Sequence, residues 1–171
     1  MSSHRSAIVS DGVHLTINEC HPNSQMAREL WEALDKDLLT RYPALAIHGF
    51  HSGELTEWKG LFVVGSFAMN SVACGAMRIL NECEGEIKRM YVSPGYRKLG
   101  IGRVILDFLE VSAWNKGIRR LRLETGTAQP EAIGLYESAG YNHIEPYGEY
   151  VGNVHSVCFE KILGAGEAHR S

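Results

Sequence analysis

The stretch EIKRMYVSPGYRKLGIGRVILDFLE, Glu86 to Glu110, holds the residues best suited to chemistry. It reads as a strand, a basic loop containing glycine, and the first turns of an amphipathic helix. Gly100 and Gly102 let backbone come close to a ligand. The first-turn N–H groups of a helix are unpaired donors at the positive end of its dipole. Arg97, Lys98 and Arg103 add side-chain charge at the same place. Together these residues make an anion site suited to phosphate or pyrophosphate. Their spacing matches neither G-x-G-x-x-G nor G-x-x-x-x-G-K-[ST], so neither a Rossmann cofactor site nor a P-loop is expected.

The rest of the composition narrows the class. With 171 residues and 19.0 kDa the chain has the size of one domain, residues 1–171, with residues 1–10 and 164–171 expected as loose termini. Hydrophobic residues make up 44% and charged residues 22%, which places it among folded globular chains. The 17 Lys and Arg against 20 Asp and Glu leave a net charge of -3, so no nucleic-acid partner is expected. A local basic pocket is still allowed. Cys20, Cys74, Cys83 and Cys158 are scattered with no C-x-x-C pair; Cys74 and Cys158 sit in apolar runs as small buried hydrophobes. Reduced thiols fit a cytoplasmic protein. The leader MSSHRSAIVSDG lacks a signal-peptide apolar core, and no apolar run nears the ~18 residues that span a bilayer, so no membrane role is expected. The eight histidines show no metal-ligand spacing, and no metal is expected. A homodimer is left open by all of this.

The elements that must position the anion loop follow from periodicity. Val13 to Cys20 alternates like a half-buried strand. Asn23 or Ser24 can cap a helix whose Ala27, Leu30, Trp31, Leu34 and Leu38 share a face, and which Pro43 ends. Residues 44–59 have no clean period and read as a short helix plus a loop. Leu61–Ala68 and Val72–Leu80 form a predicted hairpin, followed by a strand over Glu86–Val92. A helix over Gly100–Lys116, a strand over Arg119–Thr125 and a helix from Pro130 to Ala139 come next. Two strand-like runs, near His143 and from Val154 to Ile162, complete the order β-α-(α)-β-β-β-α-β-α-β-β. No internal repeat or linker interrupts it.

Arg97-Lys98-Leu99-Gly100-Ile101-Gly102 resembles the R/Q-x-x-G-x-G/A signature of the GNAT superfamily of acetyl-CoA-dependent N-acetyltransferases. EIKRMYVSP is similar to that family's fourth strand, and PEAIGLYESAGY to its last helix. The likeness runs from Ala73 to Leu163, with the pieces in the family's order. PYGEYVGNVHSVCFEK resembles a subgroup of small single-domain members. The resemblance implies a mixed α/β fold: a central, mostly antiparallel sheet of six to seven strands, with its fourth and fifth strands splayed and about four helices around it.

It also implies roles. The backbone of Met90, Tyr91 and Val92 would hold the pantetheine arm of acetyl-CoA, the implied acyl donor. Residues Arg97, Lys98, Leu99, Gly100, Ile101, Gly102 and Arg103 would wrap its pyrophosphate. Gln129 stands where the family has Asn; it either touches the cofactor arm or caps the helix opened by Pro130. Gly134 inside that helix costs about 1 kcal/mol against Ala, a mark of close approach. Tyr136 matches the tyrosine that protonates the departing thiolate, but its helical stripe with Ala132, Leu135 and Ala139 fits a core residue equally. Glu86 has the offset of the family's catalytic glutamate, with Glu124 the alternative base. His48, His51, Trp58, Tyr147 and Tyr150 fall where an acceptor pocket is expected, and Arg41 or Arg78 would suit a carboxylate. The implied reaction is acetyl transfer to a primary amine of a small molecule by direct attack in a ternary complex. A protein lysine or N-terminal acetyltransferase, and a catalytically silent CoA-binding module, are the alternatives.

Overall fold

The computed structural model describes residues 4–8, 14–50 and 53–166. An eight-stranded sheet forms its centre: β1 (His4–Ile8), β2 (His14–Cys20), β3 (Gly60–Phe67), β4 (Asn70–Ile79), β5 (Glu84–Val92), β6 (Arg120–Gly126), β7 (Asn142–Ile144) and β8 (Ser156–Ile162). The spatial order is β1-β2-β3-β4-β5-β6-β8-β7, antiparallel throughout except for the parallel pair β5 and β6. Three α-helices cover it: α1 (Gln25–Leu39), α2 (Ile101–Asn115) and α3 (Pro130–Ser138).

β3 and β4 are apolar on both faces because both faces are covered. Leu61, Val63, Ala73 and Met77 join the larger core under α2 and α3, with Ile105, Leu109 and Tyr136. Phe62, Val64, Cys74 and Ala76 point the other way, against Ala27 and Leu30 of α1. Continuous apolar strands of this kind are what two-sided burial selects. Ser24 caps α1, its Oγ accepting from Ala27 N.

Three expectations change. The sheet has eight strands where six to seven were expected, because His4–Ile8, within the leader, pairs antiparallel with β2. Among the described residues there are three α-helices where about four were expected; those of the segment after α1 form the 3₁₀ turn Ala44–Ala46 and no α-helix. α1 stops at Leu39, four residues before the proline, with Thr40 as its C-cap.

The splay lies between β5 and β6. They pair in register from Glu84↔Arg120 to Ile87↔Leu123 and then part. The cause is at Arg89, whose φ of 58° is left-handed, opposite a register slip between Cys74 and Ala76 on β4. Such a backbone is unfavourable for an L-residue and needs support. Arg89 has it: its guanidinium donates to Asp35 Oδ1 (2.7 Å) and Trp31 O (3.0 Å) and lies over the Trp31 and Phe50 rings. An ion pair with α1 therefore holds the bulge that opens the sheet. No helix among the described residues is long and apolar enough to cross a membrane.

Candidate active site

Where β5 and β6 separate, a cleft of about 650 Å³ opens, bounded by the start of α2, by α3 and by residues 41–48. One end is the anion loop. Lys98 (φ 64°) and Gly100 (φ 81°) are both left-handed, a geometry that turns successive amides toward one side, and no side chain caps α2. Lys98 is exposed and makes no ion pair among the described residues. Arg97 serves the loop instead: its Nε donates to Val92 O (2.9 Å) and its Nη2 lies 3.7 Å from Asp37 Oδ2. Arg103 is engaged by Asp107 at 2.9 Å. The backbone and Lys98 are thus the groups left for an anion.

Met90, Tyr91, Val92, Arg97, Lys98, Gly100, Ile101, Gly102, Arg103, Gln129 and Tyr136 all border this one cleft. Leu99 packs against the core beneath it. Past Ile87 the β6-facing edge of β5 is released from strand pairing, which leaves backbone groups of residues 88–92 along the cleft. Gln129 is the N-cap residue of α3, but its side chain makes no capping hydrogen bond; its Oε1 accepts from Gly126 N (3.2 Å), and the residue borders the cleft. Gly134 meets nothing within 4 Å of a built Cβ, so close packing does not explain it.

Glu86 and Glu124 part company. Glu86 is 1% exposed, takes Arg78 Nη2 at 2.7 Å on one oxygen and the Tyr150 hydroxyl on the other, and contributes nothing to the cleft wall. Glu124 borders the cleft, with Ser156 Oγ donating to its Oε1 at 2.6 Å. Burial pushes the Glu124 carboxyl above its usual range, against the lowering effect of that hydroxyl. Tyr136 is 4% exposed, with its ring against Tyr141 and Phe159. Burial first, and the charge of Glu124 second, raise its phenol, so it stays protonated at any working pH.

At the acceptor end, His48 and Tyr150 border the cleft, their rings edge to face at 5.0 Å. Asn153 Nδ2 donates to His48 Nε2 (3.0 Å), joining the loop after α1 to the loop before β8. Trp58 packs on Phe50 in the second core, and Tyr147 sits behind Tyr150. Arg41 borders the cleft but is held by Asp37, Glu131 and Ala128 O, while Arg78 is committed to Glu86 and Glu54. His51 lies outside the described residues. Sequence reasoning missed Lys88, Arg89 and His155, which also border the cleft. In the sequence Lys88 is one of several charged residues of β5, with Glu84, Glu86 and Arg89, and nothing local sets it apart.

The chain matches the Acetyltransferase (GNAT) family over residues 17–141. The chain belongs to the GNAT acetyltransferase family. It is 35% identical over 151 residues to an IAA acetyltransferase of Azospirillum brasilense, covering 88% of this chain and 99% of that one. Among solved structures it is similar to a putative acyl-CoA N-acyltransferase from Klebsiella pneumoniae, with TM-score 0.75, 29% identity, and coverage of 88% and 98%. A GNAT family acetyltransferase from Elizabethkingia anophelis, solved with acetyl-CoA bound, shares the fold at TM-score 0.63 and 19% identity over 87% of this chain and 98% of that one. The acetyltransferase uses acetyl-CoA, which supplies the acetyl group as an activated thioester. The uncapped α2 terminus and left-handed loop fit its phosphates. Among the described residues no group of three or more His, Cys, Asp or Glu could hold a metal ion.

The loop can be tested without touching the fold. A Cβ at Gly102 would meet Leu135 Cδ2 at 3.4 Å and Val92 Cγ2 at 3.8 Å, ordinary contacts, and Ala favours helix by up to about 1 kcal/mol. Gly102→Ala is expected to melt no lower than the parent protein, yet to bind CoA about tenfold more weakly, a loss of about 1.4 kcal/mol. Titration of CoA with parallel melting curves checks both; unchanged affinity would make Gly102 a purely structural residue.

Proposed function

We propose that the acetyltransferase transfers acetyl to a primary amine of a small molecule, by direct attack in a ternary complex, with Glu124 as the base and Tyr136 as the acid. The observation that carries this reading is that Glu124 on β6 and Tyr136 on α3 border one cleft, while Glu86 is buried and does not border it. Glu124 takes the proton from the attacking amine. Tyr136 gives a proton to the departing sulfur. A carboxyl raised by burial is better matched to an amine than an ordinary one, because proton transfer is most effective between groups of similar pKa.

Two further features support the finer points. None of Cys20, Cys74, Cys83 and Cys158 borders the cleft, and burial pushes the Cys74 thiol up to about 12, which disfavours an acyl-cysteine route. The His48–Asn153 contact draws two loops together at the acceptor end, leaving a walled pocket that suits a compact acceptor better than an extended peptide. The Azospirillum relative, which matches over nearly its whole length, is named for IAA and not for a protein acceptor.

The experiment is a panel of small amines and short peptides with free N-termini or lysines, followed by thiol release from acetyl-CoA and product mass. At least one small amine is expected to exceed every peptide in kcat/KM by tenfold or more. Preferential turnover of peptides would make a protein acceptor the better reading. Tight acetyl-CoA binding with no thiol release across the panel would make the chain a silent CoA-binding module.

A further inference from the structure

Lys88 is a buried cation at the acceptor end with no hydrogen-bond acceptor among the described residues. Its side chain is 4% exposed, its Nζ makes no hydrogen bond among the described residues, and it borders the cleft. Its nearest carboxylate oxygen, Glu54 Oε1, is 3.8 Å away and is shared with Arg78 Nη1 at 3.3 Å. Of the other neighbouring acids, Glu86 is taken by Arg78 and Tyr150, and Glu124 makes no ion pair with Lys88 among the described residues. Buried ammonium groups are normally paired and hydrogen-bonded, because an unmet donor keeps its full desolvation penalty. On the same face, Arg78 and Arg122 each leave a buried Nε without an acceptor. Those two guanidinium groups lie behind the cleft wall and are held by carboxylates, so of these cations Lys88 is the one that borders the cleft.

The placement of Lys88 follows from the sheet. It stands one residue past the last paired position of β5, Ile87, and opposite Ala76 of β4. A small residue at 76 leaves room over the lysine stem, and the parting of β6 leaves room beside it. Glu124 stands at the corresponding point of β6, one residue past Leu123. The two flank the mouth of the opening, within electrostatic reach but not as an ion pair among the described residues. A molecule between them would meet a base on one side and an unsatisfied cation on the other.

We propose that Lys88 receives a carboxylate of the acceptor, so that the enzyme acetylates amino acids or other small amines that carry one. This rests on the reading of the cleft as a small-amine site and names the class of amine. Glu54 and Glu86 close by already offset much of the positive charge, which suits a singly charged carboxylate and not a phosphate dianion.

The test compares matched acceptors in which a carboxamide replaces the carboxylate, phenylalanine with phenylalaninamide, methionine with methioninamide, and likewise for the other standard side chains, with kcat/KM referred to the free-amine fraction because the amide is the less basic amine. Each is assayed by thiol release at saturating acetyl-CoA, with the parent protein and with Lys88→Met, which keeps stem length without charge. The parent is expected to favour the acid over the amide at least tenfold in kcat/KM, chiefly through KM, for the pairs it accepts. In Lys88→Met the acid-to-amide ratio is expected to fall to near one. An unchanged ratio in the variant, equal loss on both members of a pair, or a parent that favours amides would overturn the proposal. A second reading needs no turnover: the same acids, added to protein saturated with CoA, are expected to raise the melting temperature, and Lys88→Met to abolish the shift. Shifts lost in the variant support the carboxylate site even if no amine is acetylated, an outcome that would sink only the small-amine transfer reading. Absence of any shift in the parent, with no acid preference, removes the carboxylate site and leaves acetyl transfer to neutral amines standing.

Discussion

Glu124→Gln is expected to lower kcat about 10²–10³-fold near neutral pH and to remove the acidic limb of the pH–rate profile. In the parent, Glu124 must be ionised to accept a proton, so activity rises with pH through its carboxyl pKa, which burial raises. Gln keeps the size of the side chain and can still accept from Ser156 Oγ, but it cannot take the proton. Part of the lost rate is expected to return at alkaline pH, where more of the amine arrives neutral. The same substitution has a stability signature of fixed sign. A carboxyl whose folded-state pKa is raised binds its proton more tightly when folded, so its contribution to stability is full below the unfolded value and is lost as pH rises through the folded one. Glu124→Gln is therefore expected to melt like the parent at acid pH and above it at pH 8. Glu86→Gln should behave differently: an unaltered pH–rate shape with a loss of about 1–3 kcal/mol in stability, since it weakens the acceptor for Arg78 and Tyr150. Pairs of pH–rate profiles and denaturation curves decide between the two. A Glu124 variant with the parent's profile would end its assignment as base.

Tyr136→Phe is expected to reduce kcat about 10²–10⁴-fold while leaving the affinity for CoA within a few-fold. The ring packs against Tyr141 and Phe159, and Phe preserves that packing. The hydroxyl has no hydrogen-bond partner among the described residues, so its removal leaves no buried group unsatisfied. Melting temperature should hold or rise. The loss falls on the chemical step because the raised phenol is protonated throughout the working range and is available to the departing sulfur at every pH. Activity equal to the parent's in a stably folded variant would return Tyr136 to the core.

Several features were legible in the sequence because neighbouring residues decide them. The loop from Arg97 to Gly102 turns into α2 through a left-handed Gly100, a conformation that glycine adopts without strain. Ser24 caps α1, Pro130 opens α3, and Gly140 follows its end with φ 85°, each a local effect of one side chain or of its absence. The apolar runs of β3 and β4 announced a hairpin of strands, and the structure shows both of its faces covered. From these and the family resemblance the fold class follows.

What only the tertiary structure decided is which charged groups reach the cleft. Glu86 and Glu124 are both glutamates on strands, and their local sequences do not rank them. The parallel register that pairs Glu86 with Arg122 keeps it inside the sheet, while the parting after Ile87 uncovers Glu124. That parting depends on Arg89 finding Asp35, 54 residues earlier, and on Trp31 and Phe50 closing over it. Arg41, a plausible carboxylate ligand by type, is consumed by Glu131, 90 residues away. Lys88, a plain strand lysine by type, is left without an acceptor among the described residues. β1 likewise exists only through its ladder to β2, a pairing that its own five residues do not announce. A charge is free or committed according to the partners that folding brings to it, and those partners come from distant segments whose approach no local pattern encodes.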